Sequence, residues 1–338
     1  MKPFIIPVFI PHGGCPHRCV FCNQETATGI SKNKTTPLNV KTVIREFLKY
    51  KRNGLRDVQI AFYGGSFTAL PLTQQIQFLE VTQEFIQTGQ VNSIRISTRP
   101  DYIDSQILDT LNAYNVRTVE LGAQSMDDEV LALARRGHTP HHTVKAVGLL
   151  KKRGFSVGIH IMLGLPGDTE KKAILSAKRV ICLQPDFVRI HPTLVINHTA
   201  LASLFHKGDY TPMELKEAVE LCKEMVLLFE QNHIPVIRIG LQPSPILEQK
   251  GNILAGPYHP AFGELVRSSI LLDRAKAEIQ KYAPSKKISL HISPYDLSTL
   301  KGQRRENIPQ LMNTFKLEEL EIISDPHMER GMVWVVKH

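Results

Sequence analysis

Three cysteines, Cys15, Cys19 and Cys22, crowd into the segment HGGCPHRCVFCNQ near the start of a 338-residue chain. Thiolates spaced CxxxCxxC can wrap one metal centre without help from distant parts of the sequence. Two chemistries are open to them. A structural zinc needs a fourth ligand, which His12 or His17 is placed to supply. An iron-sulfur cubane held by three cysteines instead leaves one iron open, and a molecule carrying an amino and a carboxylate group can chelate it. The remaining cysteines, Cys182 and Cys222, stand alone in apolar helical contexts, VICL and AVELCKEMV, and are expected to be small core hydrophobes. An odd total of five cysteines argues against a disulfide framework.

The elements that must carry these residues alternate between short apolar runs and longer amphipathic stretches, the pattern of repeated βα units around a parallel sheet. Strands are expected at Phe4–Ile10, Val58–Tyr63, Ser93–Ser97, Thr118–Leu121, Ser156–Met162 and Phe187–His191. Helices are expected at Val40–Tyr50, Leu72–Thr88, Ile103–Tyr114, Asp127–Arg135, Thr143–Arg153 and Glu170–Leu183. The fold class is therefore α/β, a partial parallel (βα)6 barrel with right-handed crossovers and outer helices. Its polar, glycine-rich segments follow the strands' carboxyl ends, where such sheets bind ligands: HGGCPHRCVFCNQ, GGSFTALP, TRPDY, GAQSMDD and GLPGDT. Domain organisation is read as a barrel with its extension over 1–242, a Pro/Gly-rich junction over 243–257 and a small α+β appendage over 258–338.

Composition sets the class. Hydrophobic residues are 42% and charged residues 22% of the chain, as in a soluble globular protein rather than a disordered or collagenous one. No apolar run nears the roughly 18 residues that span a bilayer, and Met1 to Pro11 lacks a basic leader and cleavage site. The expectation is a cytoplasmic protein without membrane contact, used at full length. A net charge of +9 suits an anionic partner without choosing among nucleic acid, polyphosphate and polycarboxylate.

CxxxCxxC after the first strand, with Phe21 just before the last cysteine and YGGSFTALP after the second strand, resembles the radical S-adenosylmethionine superfamily. ISTRPDYID, VELGAQSMDDEVLALARRGHT, HIMLGLPGDT and QPDFVRIHPTLVINHTAL narrow the resemblance to the radical domain of the Elongator catalytic subunit family, in a short form without the acetyltransferase domain. That resemblance implies a 4Fe-4S cluster on Cys15, Cys19 and Cys22, with S-adenosylmethionine beside it. Gly64 and Gly65 would meet the methionyl amino group, with Ser66 standing where the superfamily often has glutamate. Gln124 would hold the cofactor through its amide and Arg136 through the methionyl carboxylate, which its planar fork suits. His160 would contact the nucleoside. Ser97 replaces a second glutamate, and Arg189 and His191 replace a lysine and a tyrosine where a substrate would approach.

The implied activity is reductive cleavage of S-adenosylmethionine to a 5′-deoxyadenosyl radical that abstracts hydrogen, fed by a low-potential electron donor. A base of RNA, transfer RNA first, is the substrate that the family and the basic surplus favour. The oxygen-independent coproporphyrinogen oxidases share a looser version of the motifs, which makes a tetrapyrrole the alternative. A non-catalytic iron-sulfur or zinc module is the rival from another class, although it has no use for the GGS, Gln124, Arg136 and GLPG elements at successive strand ends.

Overall fold

The computed structural model describes residues 3–16, 18–30, 35–50, 57–282 and 285–337. His17, one of the histidines considered for zinc, lies outside them. The six expected strands are β1 (Phe4–Ile10), β2 (Val58–Gly64), β3 (Ser93–Thr98), β4 (Val116–Gln124), β5 (Ser156–Leu163) and β6 (Phe187–Pro192). They pair in parallel in chain order, as the α/β reading requires. A two-residue β7 (Val195–Ile196) follows, and then β8 (Val236–Ile239) joins the far edge of the sheet in parallel with β6. The sheet thus has seven strands rather than six among the described residues.

Each crossover helix shows why the sequence folds this way. In Glu170–Cys182 the Thr169 side chain caps the start by accepting from Lys172 N, and Ala173, Ser176, Ala177 and Val180 form the buried stripe at helical spacing. Cys182 falls off that stripe and is exposed, which corrects the expectation that it is a core residue. Cys222 is fully buried, as expected.

The sheet curls. Neighbouring strands lie about 4.8 Å apart, so on a flat sheet β2 and β6, four strands apart, would be separated by about 19 Å. Arg189 on β6 nevertheless reaches Tyr63 on β2, Nη2 to the hydroxyl at 3.0 Å. The concave face is therefore the inside of a half-barrel, and side chains from alternating positions meet within it.

Residues up to Glu214 together with Met225–Tyr258 form one compact unit. The 243–257 stretch carries β9 (Ile253–Ala255), which pairs antiparallel with β7 and so counts with this first unit. The second unit comprises Leu215–Glu224 and His259–His338. There β10 (Lys287–Ile292) pairs in parallel with β11 (Glu319–Ser324) and antiparallel with β12 (Val333–Lys337). Leu271, Ala275 and Ile279 of the helix Phe262–Gln280 share a core with Ile288, Leu290, Ile292, Val333 and Val335, which makes an α+β unit.

Candidate active site

The loop after β1 is tied down before it reaches the cysteines. Gln24 donates from Nε2 to the Gly64 carbonyl at 2.9 Å and accepts at Oε1 from His12 N. His12 Nε2 in turn accepts from Gln24 N at 3.2 Å. The β1 and β2 loops cross so closely that a Cβ on Gly65 would lie 1.9 Å from the Gly13 carbonyl oxygen, so only glycine fits there. Ser66 N donates to that same carbonyl at 2.7 Å. Further along, Val20 N donates to Ala134 O at 3.2 Å and Leu201 N to Val20 O at 2.8 Å, which fixes the segment holding Cys19 and Cys22.

The three thiols stand in one another's electrostatic field. Burial first, then Cys19 and Cys15, pushes the Cys22 thiol up to about 12, while burial and Cys19 raise Cys15. Thiols held up in this way, as Cys15 and Cys22 are, form a donor set whose protons a cationic centre would displace. A mononuclear zinc knuckle fits less well. His12 uses Nε2 as an acceptor within its own loop. Cys15, Cys19 and Cys22 would each give one thiolate to an iron-sulfur cluster.

Behind the cysteines, β4 bulges after Leu121 and puts Gln124 at φ 67°, a left-handed conformation rare for a side-chain-bearing residue. The bulge aims Gln124 at a cavity of about 190 Å³, lined also by Phe21, Cys22, His160, Met162 and His191. Arg136, 6% exposed, donates from Nη2 to the Gly122 carbonyl at 2.6 Å and from Nη1 to Cys19 Sγ at 3.0 Å. Its Nε is buried and unpartnered. Arg135, next to it, is exposed. Phe21, Cys22, Gln124 and His160 thus line one cavity, and Arg136 is tied to the cysteine loop through Cys19. Ser66 does not join them: its hydroxyl is fully buried against Thr98 Oγ1 at 2.9 Å and accepts from Arg99 N at 3.2 Å. Gly65 acts through close backbone passage, and the Gly64 carbonyl is already engaged by Gln24.

The residue sequence reasoning missed is Glu120. Fully buried on β4, it accepts from Arg95 Nη1 at 2.9 Å and from His160 Nε2, with Arg189 Nε at 2.7 Å and the Tyr63 hydroxyl at 3.3 Å. Burial alone would raise its carboxyl, but the hydrogen bond from His160 and the charges of His160, Arg189 and Arg95 outweigh that and hold it well below the usual carboxylate range. The ring of His160 stacks on His191 at 5.9 Å between centroids and 17° between planes. His191 Nε2 is buried without a partner, and burial, aided by His160, Arg189 and Arg238, pushes its imidazole down to about 3. A signal existed: Arg95, Glu120 and Arg189 are charges flanked by apolar residues within parallel strands, and buried charges must pair.

A curled parallel half-barrel with a three-cysteine loop after its first strand and a mostly apolar cavity beside that loop defines a class. Residues 9–180 match the radical SAM superfamily and residues 185–271 the radical SAM C-terminal domain, and the chain belongs to that superfamily. Superfamily members are enzymes that use a 4Fe-4S cluster and S-adenosylmethionine, so the reading as a non-catalytic metal module is set aside. The chain is 31% identical to an uncharacterized protein of Methanocaldococcus jannaschii, over 65% of this chain and 70% of that one. It is 29% identical to the tRNA uridine(34) acetyltransferase of the same organism, over 64% of this chain and 47% of the relative, and so spans about half of that enzyme. In fold it resembles the archaeal Methanocaldococcus infernus Elp3, with a TM-score of 0.61 and 23% identity over 84% of this chain and 64% of the other.

Proposed function

We propose that this enzyme cleaves S-adenosylmethionine at a cluster held by Cys15, Cys19 and Cys22 and modifies a base of transfer RNA. The observation that carries the reading is that Cys22 and Gln124 line one cavity while Arg136 bonds Cys19 of the same loop. When bound together, the cluster and S-adenosylmethionine supply a 5′-deoxyadenosyl radical by transfer of one electron into the sulfonium, the electron coming from a low-potential donor. The chain's own residues orient and shelter that chemistry. Gln124 offers an amide donor and acceptor to the cofactor, and the unpartnered Nε–H of Arg136 offers a charged donor to its carboxylate. Phe21, Met162 and Leu194 wall the cavity with apolar surface that keeps water from the radical. Glu120 fixes His160 by accepting its Nε2–H, so the imidazole meets the nucleoside in one orientation.

Transfer RNA is favoured by the likeness to the tRNA uridine(34) acetyltransferases and by the net charge of +9. A cytoplasmic setting follows from that substrate, and among the described residues no helix is long and apolar enough to cross a membrane. Several basic residues of the appendage are neutralised, because Lys286 pairs with Glu318 at 2.7 Å, Lys287 with Glu319 at 3.2 Å and Lys281 with Glu278 at 2.5 Å. Lys301, Arg304 and Arg305 have no such partner among the described residues, so they are the phosphate contacts we assign. The test is anaerobic incubation of reconstituted protein with reductant, S-adenosylmethionine and bulk transfer RNA, followed by mass analysis of the nucleosides. A new modified nucleoside that needs S-adenosylmethionine is expected. An unchanged nucleoside profile alongside turnover on a tetrapyrrole would overturn the RNA assignment.

A further inference from the structure

The family resemblance gives Arg136 to S-adenosylmethionine alone, yet its geometry ties it first to a cysteine. Its Nη1 lies 3.0 Å from Cys19 Sγ, and both residues are buried, at 6% and 8% exposure. Nη2 is anchored on the Gly122 carbonyl at 2.6 Å, which leaves the guanidinium little freedom to swing away. The backbone reinforces the arrangement: Arg136 N donates to Leu131 O at 2.9 Å, and Ala134 of the same segment accepts from Val20, the neighbour of Cys19. The other arginine in the field of these cysteines, Arg99, is paired with Asp101 at 2.8 Å, so its charge is largely compensated. No carboxylate is paired with Arg136 among the described residues.

We propose that Arg136 is a positioning residue for the cluster as well as a cofactor contact: its N–H to Cys19 Sγ sets the reduction potential. The inference rests on the reading of Cys19 as a cluster ligand. Reduction adds one negative charge to the cluster and its thiolates. A buried cation donating a hydrogen bond to one of those sulfurs stabilises the reduced state more than the oxidised state and raises the potential. Low dielectric around both groups strengthens the effect. Because the same guanidinium keeps Nε–H free, it can meet the cofactor's carboxylate without releasing Cys19, so cofactor binding and electron entry share one residue. A carboxylate arriving at Nε would draw off part of the positive charge and lower the potential again.

The experiment compares wild-type protein with Arg136→Lys and Arg136→Gln, each reconstituted anaerobically with iron and sulfide. Iron content and visible absorbance are measured first, then the midpoint potential by a redox titration followed by electron paramagnetic resonance, without S-adenosylmethionine. Arg136→Gln is expected to keep its cluster with a more negative midpoint than wild type, and Arg136→Lys, which retains the charge but not the planar fork, to fall between them. Midpoints that coincide in the three proteins while affinity for S-adenosylmethionine drops in Arg136→Gln would reduce Arg136 to a cofactor contact and overturn the inference alone. Wild-type protein that assembles no cluster would overturn the reading beneath it, and the inference with it.

Discussion

Glu120 is the charge on which the barrel interior turns. Replacing one partner of a buried ion pair leaves the other uncompensated, at about 3 to 5 kcal/mol. Glu120→Gln keeps the shape but abandons Arg95 and Arg189, so the stability read from its urea midpoint should fall by an amount in that range. A loss below about 1 kcal/mol, the scale of an exposed pair, would show that the network is slack. Acid exposes a second residue-scale effect. His138, 4% exposed, and His191 are each held down to about 3, while Asp168 is raised to about 6, in all three cases chiefly by burial. As pH falls from 7 to 5 the unfolded chain protonates both histidines and the folded chain does not, which removes about 2 kcal/mol each, whereas Asp168 takes up its proton first in the folded state and restores about 1 kcal/mol. Cluster-free protein should therefore lose about 3 kcal/mol over that range, measured as the shift of its urea unfolding midpoint. Stability that stays flat would mean that the two imidazoles are not sequestered.

At the scale of elements, the tight crossing of the β1 and β2 loops positions the cysteines. Gly65→Ala would force a Cβ onto the Gly13 carbonyl oxygen, displacing the loop that leads to Cys15. Iron bound after reconstitution should drop severalfold. Gly148 makes the contrast: it is exposed in the helix Pro140–Lys152, and a Cβ there would meet nothing within 4 Å. Gly148→Ala should bind iron normally and gain about 0.5 to 1 kcal/mol in stability. Equal iron in both variants would contradict the positioning argument. The alternation of apolar and amphipathic segments carries most of this architecture, and the parallel strands and the convergence of their loops are legible from it. Two features are not. Gly122 sits in the β4 bulge, but the left-handed backbone that turns Gln124 inward falls on a residue that seldom adopts it, and the occupation of Ser66 by Thr98 and Arg99 depends on partners far along the chain. Cys182 reads as a core residue because its neighbours are apolar, and only the helical phase places it outside.

For the molecule as a whole, the net charge of +9 supports the proposal that it binds transfer RNA. Phosphate contacts release counterions, so affinity for transfer RNA should fall linearly on a log scale with salt. Replacing Lys301, Arg304 and Arg305 by alanine should flatten that slope by about 2 to 3, given roughly 0.7 to 0.9 per contact. A slope equal to wild type would remove those three residues from the RNA surface and leave the paired lysines as spectators. Activity on any substrate requires, in the reading proposed, that Cys15, Cys19 and Cys22 hold a cluster that cleaves S-adenosylmethionine. The most direct measurement of this claim is 5′-deoxyadenosine formed when anaerobically reconstituted protein meets dithionite and S-adenosylmethionine. Wild-type protein and Cys182→Ser should both produce it and Cys19→Ala should not; no product from wild type with a full iron complement, or equal product from Cys19→Ala, would contradict that claim.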